Sequence, residues 1–197
     1  MPKILSMNKG LLIISLCLAS CSITNPYYLN LSNEKQKEFH LSPADSIFVD
    51  KNQVFSINIE ELKMLMNVDR KDNKMLIFFT YWCPRSYEIL PEFINQIDIT
   101  NISLYFISPD DWVYKEYYPS YISRLGLNNN IFLLDVYNYG EKRSPHFKMK
   151  KFISEICTDC KSIQGFPSFI LFNKDNEIVY KKVGLPSADT IREIVRY

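Results

Sequence analysis

The feature that most constrains the fold is a continuous, mostly apolar run at residues 74–80, Lys-Met-Leu-Ile-Phe-Phe-Thr. A run of this length is typical of a strand buried on both faces, whereas a half-exposed strand alternates apolar and polar residues. Both faces of such a strand must be covered. The run therefore predicts a sheet with helices on either side.

Shorter patterns along the chain alternate between strand and helix periods. Strand patterns occupy residues 53–59, 102–107 and 131–134, and a hairpin pattern occupies residues 169–172 and 177–183. Helical patterns occupy residues 60–68, 89–97, 117–125, 147–156 and 188–196, the last with Ser187 as its predicted N-cap. A chain of 197 residues suits one well-packed domain. The order of elements predicts an α/β sandwich around a mixed sheet.

The N-terminus has the features of an export signal. Lys3 and Lys9 make the first residues basic. A short apolar run follows at residues 11–18 and is too short to span a bilayer. Residues 18–21, Leu-Ala-Ser-Cys, resemble the lipobox of bacterial lipoproteins. The resemblance implies cleavage before a cysteine that is then lipidated, and an ordinary signal peptide with a chance cysteine is the alternative.

These features divide the chain into three predicted parts. Residues 1–20 form a lipoprotein signal peptide, residues 21–45 form a tether lipidated at Cys21, and residues 46–197 form the folded domain. Export implies an oxidising compartment, in which disulfides persist.

Two segments of the predicted domain together resemble the thioredoxin fold. The first is residues 82–86, Trp-Cys-Pro-Arg-Ser, at the end of the buried strand, with Pro91 in the helix that follows. The second is residues 165–172, Gly-Phe-Pro-Ser-Phe-Ile-Leu-Phe, which opens the hairpin. The first segment is especially similar to membrane-tethered thiol–disulfide oxidoreductases of the TlpA and ResA type. The resemblance implies a thioredoxin-like three-layer sandwich with a central mixed β-sheet flanked by helices.

The same resemblance implies a reactive site built on Cys83. A cysteine at a helix N-terminus lies among unpaired backbone N–H groups, which favour the thiolate that attacks disulfides. Arg85 is expected to favour the anion further. Pro167 is expected to follow a cis peptide bond and to position a partner strand. Trp82 and Phe166 are expected to form an apolar rim around the sulfur.

Two residues depart from the family pattern. Ser86 occupies the position of the second, resolving cysteine, so a dithiol cycle within this motif is impossible, although its hydroxyl can hydrogen-bond the Cys83 thiolate. Ile77 occupies the position of the buried aspartate of thioredoxins. Both changes argue against efficient reductase chemistry of the thioredoxin type.

A second cysteine pair, Cys157 and Cys160, precedes the predicted cis-proline strand. One interpretation is a local structural disulfide. Another is that Cys160, or the pair, replaces the missing resolving thiol of Cys83. Structural zinc usually needs four ligands, and His40 and His146 are not placed in the sequence to complete a set, so no metal is predicted.

Thiol–disulfide exchange in the bacterial cell envelope is the leading hypothesis for function, with Cys83 as the nucleophile. The sequence leaves open whether the protein is an enzyme; if it is, an oxidoreductase or isomerase is expected. Envelope protein thiols and disulfides and the membrane are the predicted partners, the periplasm is the predicted location, and no cofactor is predicted. The alternative is a redox-inactive module that binds a protein or peptide in the same groove. A net charge of +1 argues against nucleic acid.

Two further clusters are expected to be structural. Aromatic side chains are expected to pack over the sheet edge rather than to bind a partner or glycan; they are Trp112, Tyr114, Tyr117, Tyr118 and Tyr121. Lysines of the predicted helix at residues 147–156 are expected to face solvent rather than anionic headgroups; they are Lys148, Lys150 and Lys151.

Overall fold

The computed structural model describes residues 27–40, 53–97, 100–126, 129–160, 163 and 165–196. Within these ranges, six strands form one sheet in the order β1-β4-β3-β2-β5-β6. The strands are β1 (Val54–Ile57), β2 (Asn73–Phe78), β3 (Ile102–Ser108), β4 (Ile131–Leu134), β5 (Ser168–Phe172) and β6 (Ile178–Val183). Strands β1 to β4 are parallel, whereas β5 runs antiparallel to both β2 and β6.

Helices separate the parallel strands and close the chain. They are α1 (Asn33–Glu38), α2 (Ile59–Val68), α3 (Pro84–Glu88), α4 (Leu90–Gln96), α5 (Tyr118–Arg124), α6 (Val136–Tyr139), α7 (Pro145–Ile156) and α8 (Ala188–Val195). Short 3-10 turns lie at Tyr28–Asn30, Trp112–Tyr117 and Thr158–Cys160.

Two apolar layers cover the two faces of the sheet. Alternate residues of β2 belong to different layers: Met75 and Ile77 pack with α4, α5 and α8, whereas Leu76 and Phe78 pack with α2 and α7. Every residue of β2 is buried, as its unbroken apolar run predicts. This arrangement confirms the predicted α/β class, a thioredoxin-like three-layer sandwich whose mixed sheet is flanked by helices.

The helix predicted at residues 89–97 is confirmed as α4, and a shorter helix, α3, precedes it. Ile89 ends α3 and begins α4, and Pro91 lies in the first turn of α4. Proline lacks a backbone N–H and its ring clashes with the preceding helical turn, so the helix breaks there. At the other end of the chain, Ser187 is the N-cap of α8, since its Oγ accepts a hydrogen bond from the Thr190 N–H at 3.1 Å. That cap agrees with its prediction.

Residues 27–40, here called the N-terminal strap, pack against the domain, although the sequence places them in a tether. Tyr28 is 0% exposed, and its ring lies 4.9 Å from that of Trp112. The buried Glu141 carboxylate accepts the backbone N–H groups of Tyr28 and Leu29. The strap escapes a pattern search because scattered residues, chiefly Tyr28 and Phe39 on Trp112, anchor it without a periodic apolar face.

The C-terminal end of the strap covers the edge of the sheet. The Phe39 carbonyl accepts the Ser56 N–H at 2.7 Å, and His40 forms a parallel bridge with Ser56. An uncovered edge strand offers unpaired backbone groups to other chains. The strap therefore protects β1 from edge-to-edge association.

The strap is expected to stabilise the fold more strongly at acidic pH. His40 Nδ1 lies 3.5 Å from Glu61, and Nε2 lies 2.9 Å from the Tyr28 hydroxyl. The hydrogen bond to Glu61 raises the pKa of His40, against an opposing effect of burial. The folded pKa is thus above the unfolded one, so the stabilisation is fully present below about pH 6.5 and is lost as pH rises through the folded pKa.

Urea unfolding of the wild type and of the His40→Asn variant at pH 5.5 and pH 8.5 measures this effect. The stability difference between the two proteins should be larger at pH 5.5. Equal differences at both pH values would contradict the expected coupling.

Candidate active site

Cys83 lies where β2 passes into α3. It is the N-cap of α3, with extended backbone angles and Pro84 in the first helical turn. Its carbonyl accepts the Tyr87 N–H at 3.1 Å. Its sulfur is a half-buried free thiol. The loop thus presents the cysteine at the carboxyl end of a central strand, where open α/β sheets form their binding crevices.

The two segments that carry the predicted site meet in the structure. The peptide bond between Phe166 and Pro167 is cis, and the Cys83 Sγ donates to the Phe166 carbonyl oxygen at 3.5 Å. The sulfur therefore faces the backbone that immediately precedes β5. A partner strand laid against this backbone would bring its own sulfur atoms within reach of Cys83.

Ser86 lies one turn into α3 and is 0% exposed. Within the described part of the chain, its Oγ has no hydrogen-bond partner. The Tyr121 hydroxyl donates to the Ser86 carbonyl at 2.6 Å. Burial raises the pKa of Tyr121, and the adjacent Cys83 raises it further, so this phenol remains a proton donor. The hydrogen bond that the sequence suggests from the Ser86 hydroxyl to Cys83 is absent among the described residues.

The predicted rim is partly built as expected. The Trp82 side chain is 50% exposed, and its ring meets that of Phe166 edge-on at 6.3 Å. On its other side, Phe166 contacts the ring of His146 at 5.2 Å between centroids. Arg85 is exposed, and no salt bridge of its guanidinium occurs among the described residues. Its predicted influence on the thiolate therefore rests on adjacency alone.

Asp110 is a site residue that the sequence analysis missed. It is 2% exposed, and its carboxylate accepts the Trp82 Nε1–H at 2.9 Å and the Tyr81 N–H at 3.1 Å. The Tyr118 hydroxyl donates to the same carboxylate at 2.5 Å. Burial raises the pKa of Asp110, while these hydrogen bonds lower it.

The Asp110 carboxylate therefore fixes the two residues that precede Cys83. A signal for it existed in the sequence. Asp110 lies two residues after the end of β3, the parallel neighbour of β2, and residues after neighbouring parallel strands meet at one edge of a sheet.

Cys157 and Cys160 are joined in a disulfide, with their Cα atoms 5.4 Å apart. Cys157 caps the C-terminus of α7 and is half-buried, whereas Cys160 is fully buried. The bond closes a short loop between α7 and the segment that leads to Pro167. The two cysteines pair with each other, and both interpretations of the pair, a structural bond and a resolving role, stay predictions.

Removal of this disulfide is expected to destabilise the domain without affecting the reactivity of Cys83. The chain-entropy relation gives about 2 kcal/mol for so short a loop. Urea unfolding of the Cys157→Ala/Cys160→Ala variant measures the free energy of unfolding, and alkylation with a small maleimide measures Cys83. Accumulation of mixed disulfides of Cys83 in this variant would instead support the resolving role, because a resolving thiol acts on that intermediate.

The two clusters predicted to be structural have mixed outcomes. Trp112, Tyr118 and Tyr121 are buried in the core, as expected, whereas Tyr117 is exposed and stacks on Tyr81 at 5.3 Å. Lys150 and Lys151 are exposed, as expected. The prediction for Lys148 is wrong, because that side chain is buried and its ammonium pairs with Asp111.

Several predictions fall outside the described residues or concern partners. Cys21 and the rest of residues 1–26 lie outside them, so the predicted anchor remains a prediction. In the part of the chain that is described, every helix is too short or too polar to cross a bilayer. Over the same residues, no group of three or more His, Cys, Asp or Glu side chains is placed to hold a metal ion.

Comparison with known proteins gives likeness of fold. No protein-family model and no curated protein sequence matches the chain. Similar solved structures include a thiol-disulfide isomerase from Corynebacterium glutamicum, at 15% identity and a TM-score of 0.46, with 64% of this chain and 80% of that chain covered. StoA from Bacillus subtilis is 20% identical with a TM-score of 0.41, covering 64% and 84%. The exposed lipoprotein thioredoxin of Streptococcus pneumoniae strain TIGR4 is 15% identical with a TM-score of 0.41, covering 66% and 88%. At these values, no activity or site residue is transferred to this chain.

Proposed function

We propose that the protein carries out thiol–disulfide exchange in the bacterial cell envelope through the single active-site thiol of Cys83. The observation that carries the proposal is the placement of this half-buried sulfur at a helix N-cap, 3.5 Å from the Phe166 carbonyl that precedes the cis-proline. A free thiol at a helix start meets the requirement for an attacking thiolate. The adjacent backbone offers a docking strip for an extended partner.

The chemistry that suits one thiol is disulfide isomerisation. The Cys83 thiolate attacks one sulfur of a partner disulfide, which breaks the S–S bond, forms a mixed disulfide and releases the partner's other sulfur as a thiolate. A different thiol of the same partner then attacks the mixed disulfide, forms a new S–S bond and releases Cys83. The partner ends with a rearranged disulfide, and no outside electron donor is consumed.

The buried Ser86 hydroxyl supports this route. It lies in the first turn of the helix that Cys83 caps, and its oxygen has no partner among the described residues. A hydroxyl at this position cannot displace a mixed disulfide. The covalent intermediate is therefore left for a thiol of the partner, or an external thiol, to resolve.

The proposed location is the outer face of a membrane, with an acyl chain or chains on Cys21. The apolar run at residues 11–18 and the Leu-Ala-Ser-Cys sequence at residues 18–21 support this location. The periplasm is the proposed compartment, in which disulfides are stable.

Trapping of mixed disulfides in cells tests the proposed chemistry. Cells that produce the wild type are quenched with acid, their thiols are alkylated, and adducts of the protein are separated on non-reducing gels. We expect reducible adducts for the wild type and none for the Cys83→Ala variant. The Cys157→Ala/Cys160→Ala variant is the matched control and should retain them.

The alternative, a redox-inactive module that binds a peptide in the same groove, predicts a different result. It requires partners that co-purify equally with wild type and Cys83→Ala without a covalent bond. That outcome, with no reducible adduct, would overturn the exchange function.

A further inference from the structure

Parallel strands bring several functional loops to one edge of the sheet. The loops after β2, β3 and β4 carry Cys83, Trp112 and Glu141, and carboxyl ends of parallel strands meet at the same edge. We call this the active edge. The turn at residues 173–177 lies at the opposite edge, because Phe172 at the end of β5 pairs with Lys74 at the start of β2.

The N-terminal strap joins the domain at the active edge. The 3-10 turn Trp112–Tyr117 lies between the strap and the Cys83 loop. On one side, Trp112 contacts Tyr28 at 4.9 Å between ring centroids, and on the other Tyr114 contacts Tyr81 at 4.8 Å. Tyr28 and Cys83 therefore flank the same turn.

A lipid on Cys21 would hold this edge close to the bilayer. The six residues from Cys21 to Tyr27 span at most about 20 Å when fully extended. A domain of this size has a radius of gyration of about 15 Å, and so a diameter larger than that reach. The attachment point cannot move away from the membrane by even one domain diameter.

The exposed side chains around Glu141 suit contact with lipid headgroups. Leu29, Tyr137 and Phe147 are 47%, 64% and 47% exposed, although each is apolar or aromatic. Lys142 and Arg143 are exposed beside them, and the Arg143 guanidinium lies 5.1 Å from the Phe147 ring centroid. We call these five residues the basic-aromatic patch. Basic and aromatic side chains together are typical of surfaces that lie in the membrane interface.

The charge of this region is also complementary to anionic lipid. Residues 136–151 contain five lysines and arginines, against Glu141 as their one acidic residue, and four of the five are exposed, because Lys148 is buried and paired with Asp111. Glu141 is buried under the strap, and its carboxylate is occupied by two backbone N–H groups. The exposed charge is therefore positive, and basic side chains near an anionic bilayer surface are attracted to it.

We infer that the active edge faces an anionic bilayer, with the basic-aromatic patch on the headgroups, so that Cys83 serves disulfides of proteins held at the membrane surface. The inference rests on the proposed anchor at Cys21. It adds to the proposed function a fixed orientation and a class of substrate.

Reagent access to thiols tests the orientation. The processed lipoprotein is placed in vesicles of phosphatidylethanolamine and phosphatidylglycerol, and Cys83 is modified with a small maleimide or with a bulky polyethylene glycol maleimide. Because polymer is excluded near a bilayer, the bulky reagent should react at least about fivefold more slowly on vesicles than in detergent. The small reagent should react at nearly the same rate in both. The Cys83→Ala/Asp175→Cys variant carries the matched thiol at the opposite edge and should show no such slowing.

Two further measurements separate the possible failures. The mass of the processed protein shows whether Cys21 is acylated. If the mass of the acyl chains is absent, the anchor alone is overturned. A mature chain with a hexahistidine tag in place of Cys21, held on nickel-chelating lipid, then repeats the access test. Equal slowing at both thiols would overturn the orientation, because it would mean that neither edge faces the bilayer preferentially. Slowing that depends on protein concentration in detergent would also overturn it, because it would mean that a second copy covers the active edge.

Sedimentation with phosphatidylglycerol vesicles tests the patch itself. The anchor-free chain with Lys142→Glu and Arg143→Glu should bind at least about fivefold more weakly than wild type at low salt. The matched Arg70→Glu/Lys174→Glu variant changes the same charge at the opposite edge, where β2 begins and β5 ends, and should bind as wild type. Equal loss in both variants would overturn the patch as the contact surface.

Discussion

The Cys83→Ser variant is expected to lose disulfide exchange completely. Isomerisation requires a thiolate that forms and breaks S–S bonds, and a serine hydroxyl neither ionises at neutral pH nor bonds to sulfur in this way. Recovery of activity by scrambled ribonuclease in a glutathione buffer measures the effect. The wild type should accelerate recovery, and the variant should fall to the uncatalysed rate.

Controls for this prediction come from the other cysteines. The Cys157→Ala/Cys160→Ala variant should isomerise at a rate close to wild type once its lower stability is compensated by a lower temperature. Residual acceleration by Cys83→Ser would place the chemistry at the disulfide and would contradict the proposed role of Cys83.

The Ser86→Cys variant is expected to gain a dithiol cycle. Residue 86 is three positions after Cys83 on the first turn of α3, a spacing that brings side chains together and is within disulfide reach. Because the Ser86 hydroxyl is buried without a partner among the described residues, a thiol there sacrifices no hydrogen bond. Turbidimetric insulin reduction with dithiothreitol should rise about tenfold or more over wild type.

The matched control for this gain is Asp175→Cys, which adds a thiol in the turn at residues 173–177. That variant should reduce insulin no faster than wild type. Mass mapping should find a Cys83 disulfide to the new residue 86 in the first variant. A mapped disulfide without any gain in turnover would favour the peptide-binding alternative over exchange chemistry.

The fold was predictable because it rests on one unbroken apolar run and on two sequence motifs in a fixed order. The run at residues 74–80 has no polar interruption between Met75 and Phe79, so one strand alone required helices on both faces of the sheet. The order of Cys83 and Pro167 along the chain then predicted the two halves of the site, and the structure brings them together.

The missed features depend on single contacts. The place of Asp110 after β3 indicates that it lies near the Cys83 loop, but its hydrogen bonds to Trp82 and Tyr81 depend on the folded contact and not on a local pattern. Lys148 follows the exposed Phe147 on α7, but its partner Asp111 comes from a different loop. Pairings across 37 residues of sequence cannot be read from local periodicity.

The way the strap lies along β1 decides how this protein should be produced for study. A fragment starting at residue 46, the domain boundary suggested by sequence alone, would lack Tyr28 and Phe39, leaving Trp112 bare and the Ser56 N–H unpaired. Such a fragment would expose an apolar surface and an unpaired edge strand, which are common causes of aggregation. Recombinant work is better served by retaining every residue from Ser22 onward.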